Sequence, residues 1–536
     1  KQAAQQGSVI YVPCHRSHID YLLLSYVLFN NGLVVPHIAA GINLNMPVVG
    51  AVLRRGGAFF MRRSFKNNQL YAAVFNEYMH SMHTRGYPVE YFVEGGRSRT
   101  GRTLQPRVGM LLMTVKSYLR DSRKPVIFVP VYVGYEKIVE ARSYLGELKG
   151  KKKKKENVLT LFKSLKKLRS SFGLVNVNFG KPFHLSETLN NIQPDWQTGS
   201  YSIDSKPAWL PEAVNQLSEK VAVGINNAAA INPVNMVATI LLTTPRLAMD
   251  ERLLAEHCER VTGLLKQNPY SEQMTFPLGQ GQDWINYAEK MRLTTRQQQT
   301  LGDIISLQGT NAILLTYYRN NILHLLAMPS LVASMCQNNS RMSRQKIIWL
   351  VKTIYPYIKS ELFLRWEKDD IVPVIDSWIE TLCKNGLLIK GKDALHRPIA
   401  GSRNAVLLHA LARIIIPTLE RYYIAIAILR RSGSGQISAT ELESSSTQMA
   451  ERMSILHGLN APEFFDKTLF RNFINNLRKE SIIEVNDEGQ ITYGPNMDRI
   501  GEDARLVLNA ELRQSILQVA IDAENIKPDV TDSKAA

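Results

Sequence analysis

The run His15-Arg16-Ser17-His18-Ile19-Asp20 sets two imidazoles, a guanidinium and a carboxylate between an apolar stretch ending at Pro13 and another beginning at Tyr21. A carboxylate bonded to one imidazole nitrogen fixes the tautomer and makes the other nitrogen a base toward a hydroxyl. The spacing imposes a condition. On one regular helix, residues five apart point about 140° away from each other. His15 and Asp20 therefore meet only if His15 lies in the turn leaving a strand and Asp20 near the start of the next helix. Pro13, and the helical apolar pattern from Tyr21, favour that arrangement. On residue types alone, two other readings stand beside acid–base chemistry: structural polar contacts, and metal binding by His15, His18 and Asp20. The spacing H-x2-H-x-D is no strong metal pattern, and no Cys/His cluster elsewhere completes it.

Three further clusters carry charge at the ends of apolar runs. Gly56–Lys66 closes a strand pattern with Arg62, Arg63 and Lys66; on a strand the two arginines point to opposite faces, so only one would look into a site. An arginine fork suits bidentate phosphate or carboxylate binding. Tyr91–Arg102 ends a strand pattern in Glu94, Gly95 and Gly96, followed by Arg97, Ser98 and Arg99. The glycines let backbone amides approach an anion and the arginines supply charge, although the P-loop spacing is absent. In Val126–Glu136, Pro130 inside a strand run signals an edge, a bulge or a bend.

These clusters need a scaffold. Ser8–Val12, Gly57–Met61, Val89–Glu94, Val126–Tyr135 and Val175–Gly180 read as buried strands, with helices over Tyr21–Asn30, Asn68–Arg85 and Val108–Arg120 between them. The alternation predicts an α/β layered domain, a mostly parallel central sheet flanked by helices, over residues 1–230. Such sheets hold ligands at the carboxyl ends of their strands. After Pro211 the pattern turns helical, notably over 310–366 and 404–431. Residues 231–536 are therefore read as a mainly α-helical region, which a break near 370–400 would divide in two. Within it, Ser377–His396 and Asn475–Gly494 each resemble a helix followed by a winged-helix-like hairpin, which raises DNA binding as a rival.

Charge argues against that rival. Residues 1–230 hold 31 Lys/Arg against 14 Asp/Glu, while the remainder is balanced to within one charge. The excess calls for an anionic partner of the first part: nucleic acid, lipid headgroups or a phosphorylated substrate. Lys149 and Lys151–Lys155 form either a solvated loop or a docking point for anionic lipid. No apolar run is long enough to span a bilayer. Cys14, Cys258, Cys336 and Cys383 form no CxxC pair, which gives no zinc pattern or disulfide framework and favours a reducing compartment. The chain opens on a strand signal without an initiator Met, and is expected to be part of something longer.

Taken together and in order, HRSHID, GGAFFMRR, FVEGGRSR and VPVYVGYE resemble the four sequence blocks of the glycerolipid acyltransferase family. Arg62 stands where many members carry Asp; an Arg–Arg pair is expected in one branch. LLTYYRNNILHLL (Leu314–Leu326) and LHGLNAPEFFDK (Leu456–Lys467) look like the C-terminal half of the bacterial, membrane-associated branch. The resemblance implies transfer of a fatty acyl group from acyl-CoA or an acyl carrier protein thioester to the sn-1 hydroxyl of glycerol 3-phosphate, giving lysophosphatidic acid. It implies His15 as general base oriented by Asp20, with direct attack and no covalent intermediate; no G-x-S-x-G elbow is present. Arg63 would grip the acceptor phosphate, with Glu94, Gly95, Gly96 and Arg97 beside it and Ser98 and Arg99 in support. Glu94 would position glycerol hydroxyls and Pro130 would shape the site wall. Neither metal nor cofactor is required. The implied location is the cytoplasmic face of a Gram-negative inner membrane, by peripheral or monotopic attachment to an anionic surface. The rivals are a family member with another acceptor, such as lysophosphatidic acid, and a basic anion- or nucleic-acid-binding module.

Overall fold

The computed structural model describes residues 1–62, 68–138, 140–141, 144, 173–457, 462–508, 510 and 513–518. The chain divides into two compact units: 1–235 with 270–278, and 236–269 with 279–536.

After a short helix α1 (Gln2–Gln6), the first unit runs β1 (Ser8–Pro13), α2 (Asp20–Asn30), β2 (His37–Gly41), α3 (Val49–Arg55), β3 (Ala58–Met61), α4 (Gln69–Arg85), β4 (Val89–Glu90), α5 (Gly109–Arg120) and β5 (Val126–Tyr135). It continues with β6 (Val175–Phe179), β7 (Phe183–His184), α6 (Leu185–Ile192) and α7 (Leu210–Asn227). The sheet order is β3-β2-β4-β1-β5-β6, with β7 also on β5. β1 to β5 are mutually parallel where they pair; β6 and β7 join β5 antiparallel. This is the layered, mostly parallel α/β architecture the alternation predicts. Every residue of β1 and β5 is buried, as central strands covered on both faces require. The parallel run puts the carboxyl ends of β1 to β4 along one edge.

Three expectations need correction. The strand read over Val89–Glu94 stops at Glu90: Tyr91 still donates to the Tyr11 carbonyl at 3.2 Å, but from there the chain leaves the ladder and the Val93 carbonyl accepts instead from Arg107. β2 escaped detection; its His-Ile-Ala-Ala-Gly composition is poor in the β-branched and aromatic residues that mark strands. The helical reading of 310–366 is interrupted at residues 339–343, where a short strand intervenes.

The second unit is mainly helical. Its principal helices are α8 (Pro233–Leu241, which starts in the first unit), α9 (Glu251–Gln267), α10 (Gly281–Lys290), α11 (Thr310–Asn338), α12 (Arg344–Leu362), α13 (Ile371–Lys384), α14 (Arg403–Arg413), α15 (Ile416–Ser432), α16 (Ala439–His457), α17 (Lys467–Lys479) and α18 (Asn496–Val507). β8 (Ala248–Asp250), β9 (Thr295–Gln297) and β10 (Ile304–Ser306) form one small sheet. The hairpin β12 (Ile389–Lys390) and β13 (Leu395–His396) follows α13 and is completed by β11 (Arg341–Met342). The hairpin β14 (Ile483–Val485) and β15 (Ile491–Tyr493) follows α17. Among the described residues, no helix is long and apolar enough to cross a membrane.

Candidate active site

The turn between β1 and α2 is built around Asp20, the first residue of the helix. One carboxylate oxygen, Oδ2, accepts from the amides of Arg16 at 2.7 Å and Ser17 at 2.8 Å, and meets His15 Nδ1 at 3.1 Å. Oδ1 accepts from the Tyr135 hydroxyl at the end of β5. A helix amino terminus is favourable ground for a carboxylate, and this one also ties down the loop that precedes it. With two amides already donating to Oδ2, Nδ1 is the donor in the third contact. The tautomer is thereby set, and the lone pair lies on Nε2, which has no hydrogen-bond partner among the described residues.

Aromatic packing holds the imidazole plane. The Phe92 ring lies 4.0 Å away, centre to centre, at 32°, and Tyr21 meets it edge-on at 5.3 Å. Burial lowers the His15 pKa below its ordinary 6.5, with Arg97 and His18 acting in the same direction and Asp20 opposing. The ring is consequently neutral at pH 7. A neutral, oriented imidazole with Nε2 open can take a proton from a hydroxyl.

The Glu94–Arg99 turn is fastened to this residue from both sides. Glu94 accepts from the His15 amide at 3.0 Å and from the Leu104 amide at 3.1 Å, while the His15 carbonyl accepts from the Ser98 amide at 2.8 Å. Burial pushes the Glu94 carboxyl up to about 8, against the pull of those two amides and Arg16. Gly95 adopts φ +63°, and a Cβ there would stand 2.4 Å from Cδ of Arg107; nothing lies within 4 Å of a Cβ at Gly96. Arg97 is buried and ion-pairs with Glu140 at 3.3 Å, also donating to the Tyr144 hydroxyl at 3.1 Å. Ser98 spends its hydroxyl on the Gly101 amide at 3.0 Å. Arg99 is half-buried, its guanidinium 5.9 Å from the Tyr144 ring centre. The structure thus brings His15, Asp20, Glu94, Arg97 and Ser98 together, the last three holding the frame around the dyad.

Pro130 lies apart from that frame. Its carbonyl accepts from the Gly180 amide at 2.8 Å, at the gap between β6 and β7 where a missing N–H costs no ladder bond. Its ring packs against α7: a Cβ on Gly224 would come within 2.5 Å of it. Arg63 lies outside the described residues. Arg62 is exposed and stacks its guanidinium 4.7 Å from the Tyr71 ring centre. His18 gives its amide to Glu140 at 2.9 Å, and among the described residues no three His, Cys, Asp or Glu side chains group to hold a metal.

Sequence reasoning missed Tyr135, Glu140 and Tyr144. Tyr135 shares a face of β5 with Val131 and Val133, and that alternation could have pointed it at the turn. Glu140 accepts from the Ser17 hydroxyl at 3.0 Å as well as from His18 and Arg97, and the Tyr144 hydroxyl donates to the Arg16 carbonyl at 2.8 Å. Contacts across 43 to 128 residues leave no local signal.

A carboxylate-oriented imidazole at the carboxyl edge of a mostly parallel sheet belongs to an acyltransferase domain: the family model described as Acyltransferase matches residues 1–134. A second model, the glycerol-3-phosphate acyltransferase C-terminal region, matches residues 144–486. The chain belongs to the glycerol-3-phosphate acyltransferase family. Relatives named glycerol-3-phosphate acyltransferase include one from Pseudomonas fluorescens, 53% identical over 537 residues, covering 100% of this chain and 64% of the relative. Another, from Pseudomonas paraeruginosa, is 54% identical over 523 residues, covering 97% and 63%. A third, from Ectopseudomonas mendocina, is 52% identical over 529 residues, covering 98% and 64%. The chain thus spans less than two thirds of the length of these curated relatives.

Proposed function

We propose that this chain carries the catalytic site for moving a fatty acyl group from a thioester of CoA or acyl carrier protein onto the sn-1 hydroxyl of glycerol 3-phosphate, producing lysophosphatidic acid. The observation that carries the reading is the His15–Asp20 pair, with Nδ1 held on Asp20 and Nε2 open. Nε2 removes the proton of the acceptor hydroxyl as its oxygen attacks the thioester carbonyl. Asp20 stabilises the imidazolium that forms. The tetrahedral intermediate then expels the thiolate, which takes the proton back from Nε2. Bonds balance without a covalent acyl-enzyme, a metal or a cofactor.

Arg63 binds the acceptor phosphate, and the Glu94–Arg99 turn forms the adjoining wall. A glutamate held near 8 is largely a neutral acid at pH 7, able to face glycerol hydroxyls without repelling an incoming phosphate. The positive charge of residues 1–230 suits both the acceptor and a phosphorylated donor. Attachment is peripheral, to the cytoplasmic face of a bacterial inner membrane.

The test is thiol release by the full-length protein from palmitoyl-CoA. Release is expected to require glycerol 3-phosphate and to yield the 1-acyl product. Arg63→Ala is expected to raise the KM for glycerol 3-phosphate about tenfold or more, with little change in that for the donor. Acceptor-independent thiol release, or a defect confined to the donor KM, would refute the assignment.

A further inference from the structure

Three helices of the second unit turn the same pattern of side chains toward one space. α12 contributes Leu350, Thr353, Ile354 and Tyr357, the i, i+3, i+4, i+7 stripe of a single helix face. The same spacing recurs on α15 from Leu419 to Ile426 and on α18 from Ile500 to Val507, and Phe473 and Leu477 of α17 complete the wall. Such stripes normally meet in a close-packed core. Here they stand off around a cavity with about 640 Å³ of empty space, part of it open to solvent, which is the size of a small-molecule site. Each stripe covers two helical turns, so the wall runs lengthwise for about 10 Å. One side is stiffened by aromatic packing: the Tyr422 and Phe473 rings stack at 4.4 Å and 7°, and Tyr357 meets Phe473 edge-on at 5.3 Å.

The chemistry of the wall narrows the occupant. The Thr353 hydroxyl donates to the Trp349 carbonyl at 2.9 Å, and that of Tyr422 to Glu361 at 3.0 Å. Asp503, the one charged residue among the described residues of the wall, ion-pairs with Lys346 at 3.2 Å. A peptide segment would bring amides and carbonyls that each need a partner, and these groups are already engaged. A hydrocarbon chain brings none. Lys346 gives the head of such a chain something to meet: its side chain is 39% exposed, and its ammonium lies 3.9 Å from the Trp349 ring centre. An anionic head can take the place of Asp503 on it.

We propose that this cavity holds the tail of a single-chain anionic amphiphile, a long-chain fatty acid or a lysophosphatidate, with the head exchanging for Asp503 on Lys346. The site is separate from the one that serves acyl transfer: its whole wall lies in the second unit, whereas His15 and Asp20 lie in the first. It stands independently of the acyl-transfer reading.

The experiment photolabels the full-length protein with palmitic acid carrying a diazirine at the tail and maps the labelled peptides by mass spectrometry. Label is expected on α12, α15 and α18. Unlabelled palmitate or 1-palmitoyl lysophosphatidate should compete, and the stronger competitor identifies the head. Ala504→Leu and Thr353→Leu each fill the space and should cut labelling about tenfold or more. Folding of each is checked by circular dichroism, and if one unfolds the other carries the test. Lys346→Gln should cut labelling about threefold. Neither filling variant should change the KM for palmitoyl-CoA in thiol release, so loss of this site and loss of acyl transfer are read separately. The proposal is overturned by label confined to the first unit, by wild-type labelling of a folded filling variant, or by failure of both competitors. It is equally overturned if the filling variants raise the KM for palmitoyl-CoA, which would make the cavity part of the donor site.

Discussion

His15 and His257 are both buried imidazoles, one in each unit, and burial lowers the pKa of both. His257 lies on α9, fully enclosed, pushed down to about 4, with neither ring nitrogen bonded among the described residues. His15 differs in two respects: Asp20 holds Nδ1, and the other nitrogen is left for a reactant. Burial alone makes an imidazole neutral; it does not make it a base with a direction. What distinguishes the first unit is the carboxylate, itself fixed by two amides and a tyrosine hydroxyl, so that the ring cannot rotate its lone pair away. His83 on α4 repeats the pattern within the first unit, also near 4 and with neither ring nitrogen bonded among the described residues, so the contrast reflects local wiring and not the domain.

The comparison can be broken by removing what the inert histidines lack. Asp20→Asn keeps an oxygen for the amides but removes the charge that stabilises the imidazolium. We expect kcat to fall about 10³-fold with the fold intact by circular dichroism. A loss below tenfold would mean that orientation by Asp20 is not what sets His15 apart. Tyr135→Phe removes one donor from Asp20 and leaves Oδ1 buried without it; kcat should fall about tenfold with both KM values unchanged. A wild-type rate would remove Tyr135 from the assembly.

The smallest effect concerns the inert side. The folded pKa of His257 is near 4 and its unfolded value 6.5, so between these the unfolded chain binds more protons. Stability therefore falls as pH drops from 6.5 toward 4 and is unaffected above 7. His257→Leu should shift the acid-unfolding midpoint to lower pH, followed by tryptophan fluorescence. An unmoved midpoint would show that His257 is not buried in its neutral form.

How much of this was readable in advance differs by feature. The dyad was legible as a condition: residue types alone left structural contacts and metal binding open, but His15 and Asp20 could meet only with His15 outside the helix and Asp20 near its start, which is where they lie. The mostly parallel sheet was legible from continuous apolar runs, since strands covered on both faces need no polar alternation. β2 was not, because its alanines and glycine carry little strand signal between strong neighbours. Arg97 read as a free anion ligand because its partner, Glu140, is distant in sequence; charge at a strand end announces itself, whereas the carboxylate that neutralises it does not. Pro130 was read as an edge, a bulge or a bend; it stands instead within a continuous strand paired on both sides, opposite the gap between two short antiparallel partners, with its ring against α7.

The most direct test sets the two histidines side by side: the initial rate of glycerol 3-phosphate-dependent thiol release by His15→Ala and His257→Leu in the full-length protein, with folding checked for each. The account predicts a loss of at least about 10³-fold for His15→Ala and a rate within about twofold of wild type for His257→Leu. A wild-type rate in His15→Ala, or equal losses in both, would contradict it.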